Sequence, residues 1–538
     1  MKLNDFKKEI DNVFWENITN KIKYKDVVNF NDVNKNDFLD ELVNHLQLSS
    51  YSVSTPVYYY FPKSKGILRR VKIYRLKDIC VYYYCVKKLE NKLVDKIREI
   101  STAFGGFKFS KDNKSWNNEV LMHFDEGEYE SIISRDNYRQ EWKDYTKMAL
   151  EAYKKGFKKY IHIDIAHFYD DINLDILEKE VRNIIIDQKE LIDLLFYFLR
   201  MSDNKDLGYS VATVGIPQEE IGEMSRVLAN FYLANYDKSI VEYLDSLFGA
   251  DNYLYFRYSD DMWFCIDEDL SNNIIQKASL LLNSIKLHVN TEKIKILSND
   301  EFNEYWKFTE WDKVADNKDN INYLINIHHR FNENNQTGRW ISLAKYYIKV
   351  LMSDLENIEV MHKKDEMYNF IKYLLKNPQI VQSLDENHRL FFIEIINKYN
   401  EYINIFIDYI ISEDNIYPSI EYFILEILTS IENIEIVKYF IIDFLEKKYK
   451  LNKEGNWYTR CICLRFIIKY KDTFIIDKKY INQILKIIDL YKSNIEVYIE
   501  RRHILYFLYV YGLERNVIYK KTLNNTEDKL FKLYLEGI

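Results

Sequence analysis

The spacing of apolar residues changes along the chain, and each change predicts a different kind of element. Over residues 1–50, Phe6, Ile10, Val13 and Phe14 recur at helical spacing and predict an amphipathic helical leader. In KKYIHIDIAHFYDDI, Ile161, Ile163 and Ile165 alternate with Tyr160, His162 and Asp164, which is the period of a strand. The run YLYFRYSDDMWFCID holds two short aromatic, β-prone stretches about a turn. Tyr253, Tyr255 and Phe256 lead in; Trp263, Phe264 and Ile266 lead out. Between these segments, VGIPQEEIGEMSRVLANFYLANYD is a Gly/Pro turn opening a long helical pattern. Downstream, IKLHVNTEKIKIL turns at Asn290-Thr291 and resumes as a strand-like run.

Farther on, helical spacing returns and persists. WISLAKYYIKVLMSDL, HRLFFIEIINKYNEYI, IEYFILEILTSI and HILYFLYVYGL are separated by polar breaks such as KNPQ, SEDN and NKEGN. No strict period links them, so the pattern predicts stacked, HEAT-like helices whose apolar stripes are core. Tyr58–Tyr60 and Tyr82–Tyr84 read as core and strand residues of the zone before the first acidic strand. Residues 101–145, containing FGGFKFSKDNKSWNNE, are irregular and suggest no chemistry. Three zones result: a leader at 1–50, a mixed zone at 51–315 and an all-α zone at 316–538.

Composition narrows the class. The chain has 13 Gly and 5 Pro in 538 residues, hence few sharp turns and a mostly helical body. No stretch reaches the roughly twenty apolar residues that cross a bilayer, and MKLNDFKKEIDNVFWENI is no signal peptide. The five cysteines lack metal-ligand spacing and read as reduced core thiols, so a cytoplasmic protein without membrane contact is expected. A net charge of −8 opposes broad phosphate neutralisation. Basic character is local: residues 62–77 contain no acid, and Lys154, Lys155, Lys158 and Lys159 precede Asp164. Such islands suit a nucleotide or a short strand better than a long duplex.

Candidate chemistry centres on Tyr258-Ser259-Asp260-Asp261. Adjacent acids at the tip of two apolar strands are costly unless a cation neutralises them. Aspartate oxygens suit Mg²⁺, and nucleotidyl transfer uses two such ions roughly 3.5–4 Å apart. Asp164, on a separate strand, can join this pair. His162 and His167 flank the site and read as packing residues.

Taken in order, these segments resemble motifs A, B, C and D of a reverse transcriptase palm, spread over roughly residues 50–310. The resemblance implies an α+β fingers and palm domain, here followed by the helical zone. It implies that Asp164, Asp260 and Asp261 hold two Mg²⁺ ions, with Mn²⁺ as a substitute, and that the Ile165 carbonyl assists. Tyr169, five positions after Asp164, would block a ribose 2′-hydroxyl and favour dNTPs. Gln218, in Gly215-Ile216-Pro217-Gln218, would lie against the incoming nucleotide. Lys65 and Arg69 would hold its triphosphate, with Arg70 competing for the arginine role. Lys293 would protonate the leaving pyrophosphate. Two departures stand out: Glu219-Glu220 follows Gln218 where the family has Gly, and the gap to Ser225 is long.

The chain has no RNase H pattern, zinc endonuclease set or basic maturase tail after the palm. Its layout resembles the abortive-infection (Abi) polymerases of the AbiK and AbiA type. That implies template-independent DNA synthesis primed by a protein hydroxyl and a single-stranded DNA product attached to the protein. It also implies homo-oligomers and a role in anti-phage defence. Two other readings stay open: a templated, retron-like RNA-directed DNA polymerase, and a non-catalytic palm-fold scaffold. With 46 tyrosines, the sequence names no priming residue.

Overall fold

A computed structural model of the chain describes residues 3–20, 26–27, 35–63, 66–105, 138–202, 211–218, 223–333, 338–384, 386–451, 457–475, 482, 486, 497–512, 514–522 and 526–537. Lys65, Glu219, Glu220 and most of 101–145 lie outside these residues.

Two sheets carry the strands. A hairpin pairs β1 (Val57–Pro62) with β2 (Leu68–Ile73), antiparallel. The larger sheet has the order β3-β5-β6-β4-β7, with β8 also on β4. Its members are β3 (Ala103–Phe104), β4 (Lys159–Ala166), β5 (Tyr253–Tyr258), β6 (Asp261–Ile266), β7 (His288–Val289) and β8 (Lys295–Leu297). β4 and β6 are the central antiparallel pair, and Asp164 stands opposite Asp261 in their register.

Alternation on β4 assigns its two faces. Ile161, Ile163 and Ile165 enter a core shared with the helices Leu76–Ile97, Leu174–Ile184, Lys189–Met201 and Glu223–Tyr232. Tyr160 packs on the opposite face with Tyr145, Trp263, Phe302, Trp306 and Phe308. Tyr82, Tyr83 and Tyr84 correct the strand expectation: they lie within the helix Leu76–Ile97 and are all buried. That stretch runs 22 residues without Gly or Pro. Its neighbours bury it on several sides, which overrides local β propensity. Tyr82 shares a 2.8 Å hydrogen bond with Ser225, while Phe14 of the leader stacks on Tyr83.

Beyond the large sheet, the described residues are helical through to the C-terminal helix Thr526–Gly537, as the apolar spacing predicts. This array is not separate from the zones before it. Val57, Tyr59, Val71 and Ile73 of the hairpin belong to the array's own core. Trp457 Nε1 donates to the Tyr58 carbonyl at 2.8 Å, and the Gly66 amide donates to the Tyr417 hydroxyl at 2.9 Å. At the far end Ile518, Phe531 and Leu535 join the leader's core. Arg502, almost fully buried, bridges Asp26 of the leader and Asp528. All five cysteines are buried free thiols, and no helix among the described residues is long and apolar enough to cross a membrane.

Candidate active site

β5 and β6 are joined through Ser259 and Asp260, with Tyr258 opposite Asp261. Ser259 sits in the left-handed region at φ 53°, a conformation costing a non-glycine residue about 1 kcal/mol. Its neighbours hold it there. Arg257, fully buried, donates to the Ser259 carbonyl at 2.8 Å. Asp237 grips the same guanidinium through two bonds of 2.9 and 2.6 Å, and Asn230 adds a third at 2.7 Å. Gly105 passes so close that a Cβ there would stand 3.1 Å from the Ser259 hydroxyl. The turn is then laid across β4: the Ile165 amide donates to the Asp260 carbonyl at 3.2 Å.

This placement brings Asp260 beside Asp164, and their charges interact. Burial, then Asp164, then Asp261 push the Asp260 carboxyl up to about 6, against the opposing pull of Lys293. Asp164 is buried, and Lys293 Nζ donates to both its oxygens at 3.0 Å. Asn290 adds a 3.2 Å bond through Nδ2. Asp261 is committed elsewhere. Its oxygens are taken by His162 Nε2, by the Arg339 guanidinium and by the Tyr145 hydroxyl at 2.7 Å. Burial would raise this carboxyl, but Arg339 and then His162 outweigh burial and hold it well below the usual range. The His162 ring lies on Trp263 with centroids 4.6 Å apart.

Among the described residues, no three His, Cys, Asp or Glu side chains are disposed to hold one metal ion. Of the expected trio, Asp164 and Asp260 interact as a pair, while Asp261 is engaged by Arg339, His162 and Tyr145. A pair still fits Mg²⁺, which is commonly held by one or two carboxylates together with substrate phosphates. Burial first and Asp164 second raise the Asp260 carboxyl, whose charged form a cation would favour.

Residues 62–327 match the family described as reverse transcriptase (RNA-dependent DNA polymerase). The match, just under half of the chain, makes residues 62–327 a reverse-transcriptase-like domain. Such a domain is that of a nucleotidyltransferase. Among solved structures, apo telomerase from Candida tropicalis truncated from its C-terminal domain is similar at 12% identity and a TM-score of 0.30. That match covers 49% of this chain and 55% of that one. Telomerase from Candida albicans in complex with a TWJ fragment of telomeric RNA matches at 11% identity and a TM-score of 0.32. It covers 75% of this chain and 70% of that one. No curated protein matches the chain in sequence.

In the reverse-transcriptase-like domain the remaining expected residues fall around the Asp164–Asp260 pair to different degrees. Phe168 is buried in the core, and half-buried Tyr169 follows it in the short helix Phe168–Asp171. The Gly215–Gln218 turn is stitched to that helix: the Ile216 amide donates to the Tyr169 carbonyl at 2.9 Å, and the Gly215 amide to Ile172 at 2.8 Å. Gly215 has φ +91°, and a Cβ there would meet the Asp170 carbonyl at 3.3 Å. Gln218 Nε2 reaches Asp170 at 3.4 Å, while its carbonyl accepts from the Lys72 amide of β2 at 2.8 Å. Strand alternation separates the two arginines. Arg70 lies over the Tyr58 ring at 4.2 Å, whereas exposed Arg69 shares its surroundings with Lys63.

Lys63 is a residue that the sequence reading passed over in favour of Lys65. Burial, then Arg69 and Lys293, lower its ammonium below the usual lysine range, while Asp170 and Asp260 oppose them. One neighbourhood thus gathers Lys63, Arg69, Lys293, Asp170 and Asp260. Arg257 left a signal in the sequence, as a lone charge inside the apolar run YLYFRY. Arg339 left none.

Proposed function

We propose that the domain is a Mg²⁺-dependent DNA polymerase acting on dNTPs. The single observation that carries this reading is the meeting of Asp164 and Asp260 at the tip of β4 and the β5–β6 turn, beside Lys63, Arg69 and Lys293. Divalent cations, when bound, supply the charge that favours an attacking alkoxide and a leaving pyrophosphate. Asp164 and Asp260 hold them; Asp261 anchors the turn. Lys63 and Arg69 bind the triphosphate, the first as a point charge and the second as a planar fork. Tyr169 excludes the ribose 2′-hydroxyl, Gln218 lies along the nucleotide, and Lys293 moves from Asp164 to give a proton to pyrophosphate.

On this reading the polymerase extends DNA without copying a template, from a hydroxyl of the protein itself, in anti-phage abortive infection. Support comes from the acidic Glu219-Glu220 after the Gly215–Gln218 turn, from the net charge of −8, and from the helical array that follows the palm. One observation favours a templated reaction instead: the matched family is described as RNA-dependent. Purified protein with dNTPs and Mg²⁺ but no nucleic acid distinguishes the two. A labelled DNA ladder linked to protein supports the first, and synthesis only with primer and template supports the second. Asp260→Asn abolishes either, and retained synthesis in that variant refutes the site.

A further inference from the structure

Arg339 lies beyond residues 62–327, at the start of the helix Trp340–Leu351 in the array, yet its guanidinium ends on Asp261 of the polymerase turn. The approach is built in detail. Gly338 has φ +65°, and a Cβ there would overlap the Tyr305 carbonyl and stand 2.8 Å from its Cα. The next amide, that of Arg339, donates to the same carbonyl at 2.8 Å. The guanidinium carbon then stands 4.1 Å from the centroid of Trp306 and 5.4, 5.7 and 5.9 Å from those of Trp142, Tyr145 and Tyr305. One nitrogen also reaches the Tyr145 hydroxyl at 3.2 Å. A planar, permanently charged fork fits such a box, where it can stack and pair with a carboxylate at once; an ammonium cannot.

The helix that carries Arg339 is fixed in its own core. Leu343, Ala344 and Tyr347 are fully buried, and Tyr346 packs on Trp311 at 5.1 Å. Asp261 therefore takes its position from the array as well as from β6.

We propose that Arg339 is a positioning residue of the polymerase centre. It fixes Asp261 on the β5–β6 turn and keeps that carboxylate's charge out of the Asp164–Asp260 pair. This rests on the polymerase reading above. It also makes the helical array part of the active site rather than an appended module.

The test uses the full chain, with Mn²⁺ as the probe, and reads metal binding without substrate as well as turnover. In Arg339→Ala one positive charge leaves and one carboxylate is released beside the cation pair. The Kd for Mn²⁺ falls by about threefold or more. The same variant loses about hundredfold in kcat, the scale of a displaced reacting group, with a smaller change in the KM for dNTP. Added guanidinium ions enter the vacated aromatic box and restore part of kcat. Generic loosening of the fold gives weaker metal binding and no rescue. A Kd that is unchanged or weaker, or an unchanged kcat, overturns the proposal. If Arg339→Ala does not fold, Arg339→Lys keeps the charge without the fork: it retains Mn²⁺ affinity and loses kcat, and wild-type turnover there is equally fatal. A wild-type chain that makes no product refutes the polymerase reading instead, while the Mn²⁺ titration still decides the role of Arg339.

Discussion

Removing the charge of Asp260 stabilises the metal-free protein while ending its activity. Its carboxyl is held at about 6, against 3.8 for a free aspartate, by burial and then by Asp164 and Asp261. An acid whose value rises on folding contributes stability that is complete below the unfolded value and is lost as pH rises through the folded one. The window here runs from about pH 4 to about pH 6. A shift of roughly two units is worth about 3 kcal/mol against the folded state at neutral pH. Asp260→Asn keeps the shape and deletes that repulsion. In differential scanning calorimetry with EDTA, the variant melts above wild type at about pH 7.5, and the gap is about half as large at about pH 5 and closes below about pH 4. Mg²⁺ narrows the neutral-pH gap by stabilising wild type alone. If the variant is no more stable than wild type at neutral pH, or the gap ignores pH, the two carboxylates do not repel and the cation pair is misassigned.

Tyr169→Ala lowers discrimination between dNTP and rNTP by about tenfold to hundredfold in kcat/KM, measured with matched nucleotides, if the ring blocks the 2′-hydroxyl. Unchanged discrimination assigns the selection to another residue. Lys63→Ala removes a charge-assisted contact worth about 1.5–3 kcal/mol and raises the KM for dNTP by about tenfold to hundredfold in steady-state kinetics. A loss in kcat alone places Lys63 away from the triphosphate. Arg257→Met leaves the Asp237 charge buried with only the Tyr255 hydroxyl on it, since both members of the pair are fully shielded from solvent, and costs about 3–5 kcal/mol in chemical denaturation. Replacing both with apolar residues restores most of that loss, which a purely steric defect would not.

What the sequence disclosed was whatever neighbours along the chain determine. Alternation about Ile161, Ile163 and Ile165 gave β4 and the side on which Asp164 sits, and the aromatic runs gave the β5–β6 hairpin with its acidic turn. The helical C-terminal half followed from apolar spacing alone. Periodicity says that a face is buried but not what buries it. The merging of Val57, Tyr59, Val71 and Ile73 with the array's core was therefore invisible. The division of labour between Asp260 and Asp261 was hidden for the same reason. The two are adjacent in sequence, and they part company because Arg339, 78 positions on, reaches only one of them. Lys63 lay in a segment already marked as basic, and its nearness to Lys293, Asp170 and Asp260 comes from the fold, which composition does not set.

The bond from Trp457 to Tyr58 and the Tyr417 hydroxyl on Gly66 have a consequence for how substrate is admitted. A free flap must surrender backbone disorder each time it closes on a ligand. Here the β1–β2 hairpin is tied to the helical array at Tyr58 and Gly66, so that loss is met on folding. On the polymerase reading, a nucleotide held by Lys63 and Arg69 would meet strands already ordered, and its binding would owe little to a later closing of this hairpin.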